Sequence, residues 1–224
     1  MCICSITGQG TESESTLSSE TRKRAERKLP TVRAAEIRGA AGAIALRAGL
    51  NAVTQRSVAA QAGVAPALVA HYEPSMEALL AAVFIEIVHS ELDEVAAEIA
   101  LSPTPTLALR ALINTLLEPS RQETTAIWLD AWSMGRRVDV ISAAVRFEMD
   151  AWQDVVMGIV QAGIDSGEFA RIEPDIVAWQ LIGMIDGLNA QSLVHYRDSR
   201  SRSRLLTHAM EQELGLKAGQ LTAD

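Results

Sequence analysis

Gly49-Leu50-Asn51-Ala52-Val53-Thr54-Gln55-Arg56-Ser57-Val58-Ala59-Ala60-Gln61-Ala62-Gly63-Val64-Ala65-Pro66-Ala67-Leu68-Val69-Ala70-His71-Tyr72 is the stretch whose reading decides the fold. Thr54 can cap a short helix that runs through Ala62, because its hydroxyl can accept an orphan backbone N–H of the first turn. Gly63 supplies the turn, and Pro66 suits the first turn of a third helix ending near Tyr72. Two short helices joined by a brief Gly-containing turn have the spacing of a helix-turn-helix, whose second helix enters a DNA major groove.

Helical periodicity extends outward in both directions, and convincing strand alternation is absent. Upstream, Ala34, Ile37, Ala41, Ile44, Ala45 and Ala48 form one stripe over 31–48, stopped by Gly49. Downstream, Pro74 and Ser75 break the chain. A long amphipathic helix follows, with Met76, Leu79, Leu80, Val83, Phe84, Ile87, Val88, Leu92, Val95 and Ile99 inward and Glu86, Glu91 and Glu98 on the opposite face. Further helices are expected at 106–118, 122–135, 139–166, 173–196 and 199–214, giving an all-α chain of about nine helices.

Composition sets the class. The chain has 224 residues, 48% hydrophobic and 21% charged, close to the globular average. The longest apolar run, Ala78 to Ile85, is too short for a bilayer crossing of about 20 residues, so no membrane partner is expected. Residues 1–28 lack the apolar stretch of a secretory signal, which points to the cytoplasm. Cys2 and Cys4 have no companion ligands at metal spacing and should stay free thiols.

The net charge of −8 argues at first against a nucleic-acid partner. Distribution reverses this. Residues 22–72 carry nine Lys and Arg against Glu26 and Glu36, a surplus of +7, whereas residues 73–196 carry six against nineteen acids, or −13. A basic module that can meet an anion is joined to an acidic body with another task.

Gly49 to Thr54, Val58-Ala59, Ala62-Gly63-Val64, Leu68-Val69, Tyr72 and Leu79-Leu80 after Ser75 together resemble the amino-terminal domain of the tetracycline-repressor (TetR) family of regulators. His71-Tyr72 points to its BetI branch. Trp128-Leu129-Asp130-Ala131-Trp132, Trp152, Gly167-Glu168-Phe169 and Ile185-Asp186-Gly187-Leu188 resemble the BetI-like carboxy-terminal domain. The resemblance implies a three-helix DNA-binding domain over residues 29–75, with its reading motif at about 54–73. It implies an effector-binding and dimerisation domain over 76–215, between a flexible tail at 1–28 and a tail at 216–224.

The resemblance gives each residue a role. Thr54 would cap the helix and face a phosphate, Arg56 would reach phosphate or a base edge, and Arg33, with Arg27 and Lys28 before it, would track the adjacent backbone or minor groove. Ala65, Pro66, Ala67, Ala70 and His71 would form the outward reading face, with Tyr72 beside them. Alanine methyls can touch thymine methyls, and His71 and Tyr72 add hydrogen bonds, so base readout should be sparse. Three positions depart from the family pattern. Ala65 replaces a capping Ser, Glu73 replaces an aromatic and sets a carboxylate beside the DNA-facing surface, and Met76 replaces a phosphate-binding Lys. Operator binding should therefore be weak and salt-sensitive.

All four tryptophans lie between residues 128 and 179. Trp128 and Trp132 share a helix face, as do Glu148 and Trp152, and Trp179 and Asp186 lie seven apart on the next helix. Convergence would give an aromatic pocket with one or two carboxylates, suited to a cationic or aromatic small molecule. Gly183, Gly187, Leu188 and Gln191, on a helix apolar nearly all round, are the expected homodimer contact. The chain would then be a ligand-responsive repressor of a double-stranded DNA operator, with the fourth helix as its lever. The alternative is a TetR-like ligand-binding or protein-interaction module that has lost specific DNA binding. No enzyme, metal or cofactor is expected, since Glu86-Ile87-Val88-His89 is a single Glu-x-x-His and a di-iron bundle needs two.

Overall fold

The computed structural model describes residues 29–222. The tail 1–28, with Cys2, Cys4, Arg27 and Lys28, lies outside the described residues, as do residues 223–224.

Nine α-helices follow in order among the described residues: α1 Pro30–Ala48, α2 Gln55–Ala62, α3 Pro66–Tyr72, α4 Met76–Ile99, α5 Pro105–Leu116, α6 Gln122–Gly135, α7 Asp139–Ser166, α8 Pro174–Leu193 and α9 Ser199–Leu214. Short 3-10 turns stand at Leu50–Ala52 and Pro119–Arg121. The expected boundaries hold within a few residues, with the largest difference at the end of α8. There the chain leaves the helix after Leu193, and His195 and Arg197 take left-handed backbone angles of 57° and 62° in the turn to α9.

Helix ends form where the residue chemistry asks for them. Thr54 accepts from the Ser57 N–H at 3.1 Å while Ser57 Oγ accepts from the Thr54 N–H at 2.9 Å, a reciprocal cap that starts α2. Gly63, at φ +64°, closes it. Ser75 and Thr104 cap α4 and α5 one way only, their hydroxyls accepting from the Ala78 and Leu107 N–H groups.

α1, α2 and α3 make the head, packed around Ile37, Ala41, Ala45, Val58 and Val69. α4 joins the head to the body, where it lies along α7, and α7 in turn packs on α6 and α8. Phe84, Leu109, Leu112, Ile113, Ile127 and Leu181 are fully buried in that body. The segment after α9 is not a free tail through residue 222. Leu221 is fully buried and its N–H donates to Glu211 Oε1 at 2.8 Å, so burial of one leucine draws the chain back onto α9.

Candidate functional site: an aromatic cavity and an exposed reading helix

Three of the four tryptophans converge. Trp128 and Trp132 from α6 stand with ring centroids 5.6 Å apart, Phe84 of α4 meets Trp128 edge-on at 5.0 Å, and Trp152 of α7 approaches from the side. With Met149, Ile182 and Ile185 the three tryptophans line a cavity with about 60 Å³ of free volume. At roughly 10–15 Å³ per water, that space holds on the order of five waters, or one small organic cation.

The cavity's polar groups are unequal. Asp186 lines it without a hydrogen-bond or ion-pair partner among the described residues, and burial pushes its carboxyl up from 3.8 to about 7. Burial likewise raises Glu91 from 4.5 to about 7, against the pull of Arg121. The Arg121 guanidinium lies 3.4 Å from Glu91 and 3.5 Å from Glu94, so Glu91 has a resident cation and Asp186 has none. Asn189 uses its amide N–H on the Leu116 carbonyl at 2.9 Å, which leaves its oxygen available to the cavity.

Four expectations for this body are corrected. Trp179 is 66% exposed and takes no part in the cavity, because it shares the face of Asp186 but stands about two turns, roughly 10 Å, nearer the start of α8. Glu148 is fully buried beside the cavity rather than lining it. It faces His89 of α4 at 3.3 Å, and burial raises its carboxyl while the His89 bond opposes that rise. Leu188 is buried within its own chain, whereas Gly183, Gly187 and Gln191 lie exposed on the outer side of α8. Glu91, read as solvent-facing, is buried because it stands three residues after Val88 and four before Val95, on the inward stripe of α4. That spacing was the available signal for Glu91. Arg121 and Asn189 carried no comparable signal, since each enters the cavity by way of a local turn or a register between helices.

His89 also bears on the Glu-x-x-His motif. Glu86 is exposed and His89 pairs with Glu148, and no group of three or more His, Cys, Asp or Glu able to hold a metal occurs among the described residues. No helix there is long and apolar enough to cross a membrane.

At the head, Thr54, Arg56, Ala65, Pro66, Ala67, Ala70 and His71 are all exposed, on the first turn of α2 and the outer face of α3. Gln55 Nε2 donates to the Pro66 carbonyl at 3.0 Å and ties the starts of the two helices together. Ala65 leaves α3 without a side-chain cap. Tyr72 is half-buried against the core, edge-on to His71 at 5.2 Å, so its ring is a support as much as a contact. Arg33 is held by Glu36 at 2.7 Å, which restrains it from tracking a phosphate backbone freely.

Glu73 is the clearest correction. It is only 8% exposed and accepts from Arg38 Nε at 2.8 Å, so its carboxylate turns into the head and binds α3 to α1 instead of facing DNA. Met76, at the start of α4, packs against the core.

Comparison with known proteins agrees with this architecture. Residues 105–214 match the sequence profile described as BetI-type transcriptional repressor, C-terminal. The HTH-type transcriptional regulator BetI of Rhizobium meliloti (strain 1021) is 34% identical over 95 residues, covering 42% of this chain and 47% of that protein. The chain thus aligns with about half the length of this curated relative. Among solved structures, a putative transcriptional regulator from Saccharomonospora viridis in complex with choline superposes with TM-score 0.74, at 21% identity over 82% of this chain and 98% of the other. A putative TetR-family regulator from a Rhodococcus species gives 0.69 at 16% identity, over 82% and 99%. A putative transcriptional regulator from Pseudomonas aeruginosa PAO1 gives 0.70 at 20%, over 87% and 95%. At these identities the structural likeness establishes the shared fold.

Proposed function

We propose that the chain, whose residues 105–214 match the BetI-type carboxy-terminal profile and whose fold is that of TetR-family structures, is a TetR-family transcriptional repressor released from a pseudo-palindromic operator when a small cation enters its aromatic cavity. The observation that carries the ligand class is Asp186, an unpartnered carboxylate in a cavity walled by Trp128, Trp132 and Trp152. An isolated buried charge is costly, and a ligand cation supplies the missing partner. Ring faces attract the same cation, at about 0.5–2 kcal/mol per contact. The Saccharomonospora viridis neighbour, solved with choline, supports a quaternary ammonium compound as the first ligand to try.

DNA is met by the exposed first turn of α2 and outer face of α3, with Thr54, Arg56 and His71 as its polar contacts. The basic surplus of residues 22–72 supplies the electrostatic attraction. A homodimer forms through the outer side of α8, where Ile176 and Trp179 are exposed and a side chain added at Gly183 or Gly187 would meet nothing within its own chain. Two heads then read successive major grooves on one face of the duplex. The protein works in the cytoplasm, where its DNA lies, and catalyses no reaction.

Selection of fragments of its own genome by the purified protein, followed by footprinting, tests this reading. The expected result is a protected two-fold site with half-sites about one helical turn apart, bound more weakly as salt rises. Binding without sequence preference at every salt concentration would favour instead a module that has kept its cavity and lost its operator.

A further inference from the structure

We infer that Asp130 of α6 is the positioning residue through which the cavity and the DNA-binding head move together. α6 presents Trp128, Leu129 and Trp132 to the cavity. From the position between them it presents Asp130 to the head. Asp130 Oδ1 accepts from Asn51 Nδ2 at 2.7 Å, and Oδ2 lies 3.5 Å from the Asn51 backbone N–H. The same Oδ2 stands 2.5 Å from where a Cβ on Gly49 would be, and Gly49 is at φ +83°. The end of α1 and the 3-10 turn after it are therefore shaped around one carboxylate. Glycine is required at 49 both for its backbone angle and for the room the carboxylate needs.

A helix is stiff over one turn, so Asp130 cannot stay in place while its neighbours Leu129 and Trp132 are displaced. A ligand entering between α6 and α8 bears on Trp128 and Trp132, and the displacement arrives at Asn51 three residues before the Thr54 cap of α2. The covalent link through Pro74 and Ser75 lets the head swing at the start of α4, and Asp130 sets the angle of the swing. α6 thus joins α4, the lever expected from sequence, as a second connection between ligand and DNA. The consequence for regulation rests on the function proposed above; the contact itself does not.

The test uses the full chain and three variants, Asp130→Ala, Asp130→Asn and Asn51→Ala, with choline as the probe and the selected operator fragment. Three quantities are measured: amide hydrogen exchange at residues 49–53 without ligand or DNA, choline affinity by tryptophan fluorescence, and the ratio of operator dissociation constants with and without saturating choline. Coupling of this kind spans roughly 5–150-fold in general. Asp130→Ala and Asn51→Ala are expected to speed exchange at 49–53 by threefold or more and to cut the coupling ratio by threefold or more, with choline affinity itself kept within threefold. Asp130→Asn retains an oxygen acceptor for Asn51 Nδ2 and is expected to keep the ratio within threefold of the parent. A ratio within threefold of the parent in both alanine variants overturns the inference, whatever the exchange rates. Should choline leave operator binding of the parent chain unaltered, the ligand reading fails and the exchange rates decide alone: a threefold rise upholds the link and a smaller one overturns it. Should Asp130→Ala fail to fold, Asn51→Ala, at an exposed residue, decides by the same thresholds.

Discussion

Replacing Asp186 by Asn should make the folded protein more stable above pH 7 and leave it nearly unchanged near pH 4. Burial raises the Asp186 carboxyl from 3.8 to about 7, with no partner to hold it ionised. Between those two values the folded chain keeps a proton that the unfolded chain has already released. Stability therefore falls as pH rises through that window, and the penalty is complete above pH 7. At about 1.36 kcal/mol for each pH unit of difference, the full penalty is ~4 kcal/mol. Asn keeps the shape, removes the charge and abolishes the titration. Urea unfolding at one fixed protomer concentration measures it: Asp186→Asn should gain about 2–4 kcal/mol at pH 8.5 and less than ~1 kcal/mol at pH 4. Equal or lower stability of the variant at pH 8.5, with an unchanged urea slope, would refute the assignment of a desolvated, unpaired carboxylate. The same variant should bind choline at least tenfold more weakly, since the stabilised protein has lost the charge the ligand is meant to meet.

Two further outcomes follow from the geometry. Glu73→Ala removes the inward acceptor for Arg38 and should cost about 1–2 kcal/mol in urea unfolding, whereas an unaltered midpoint would mean that the contact binding α3 to α1 contributes nothing. Gly183→Glu places a charge on the outer side of α8 without touching its own chain, so circular dichroism should be retained while light scattering falls to the single-chain 24.1 kDa; a dimer surviving the change would move the interface elsewhere.

The fold was legible in the sequence because its signals are local. Thr54, Gly63, Pro66 and Ser75 act within a turn of where they stand, and the apolar stripes of α1 and α4 need only a 3.6-residue period. The site was legible in part. Trp128, Trp132 and Asp186 share helix faces that do converge, but which flank of α8 turns inward depends on how α6 and α7 pack against it. Leu188 accordingly lies on the packed side, and Trp179, on the face of Asp186, stands about two turns short of the cavity. Glu73 and Glu91 went astray for a different reason. A carboxylate seeks water unless a cation meets it, and in each case an arginine distant in sequence, Arg38 or Arg121, is the partner that permits burial. Pairings of that kind span 30 residues or more and leave no periodic trace.

Fluorescence anisotropy of the selected operator fragment, titrated with the full chain in the absence and presence of choline, tests the central claim most directly. The account predicts sequence-specific binding that weakens several-fold as choline saturates the cavity, with the neutral isostere 3,3-dimethyl-1-butanol having little effect. Operator binding that is specific and equally tight with and without choline and other small quaternary ammonium ions would contradict it.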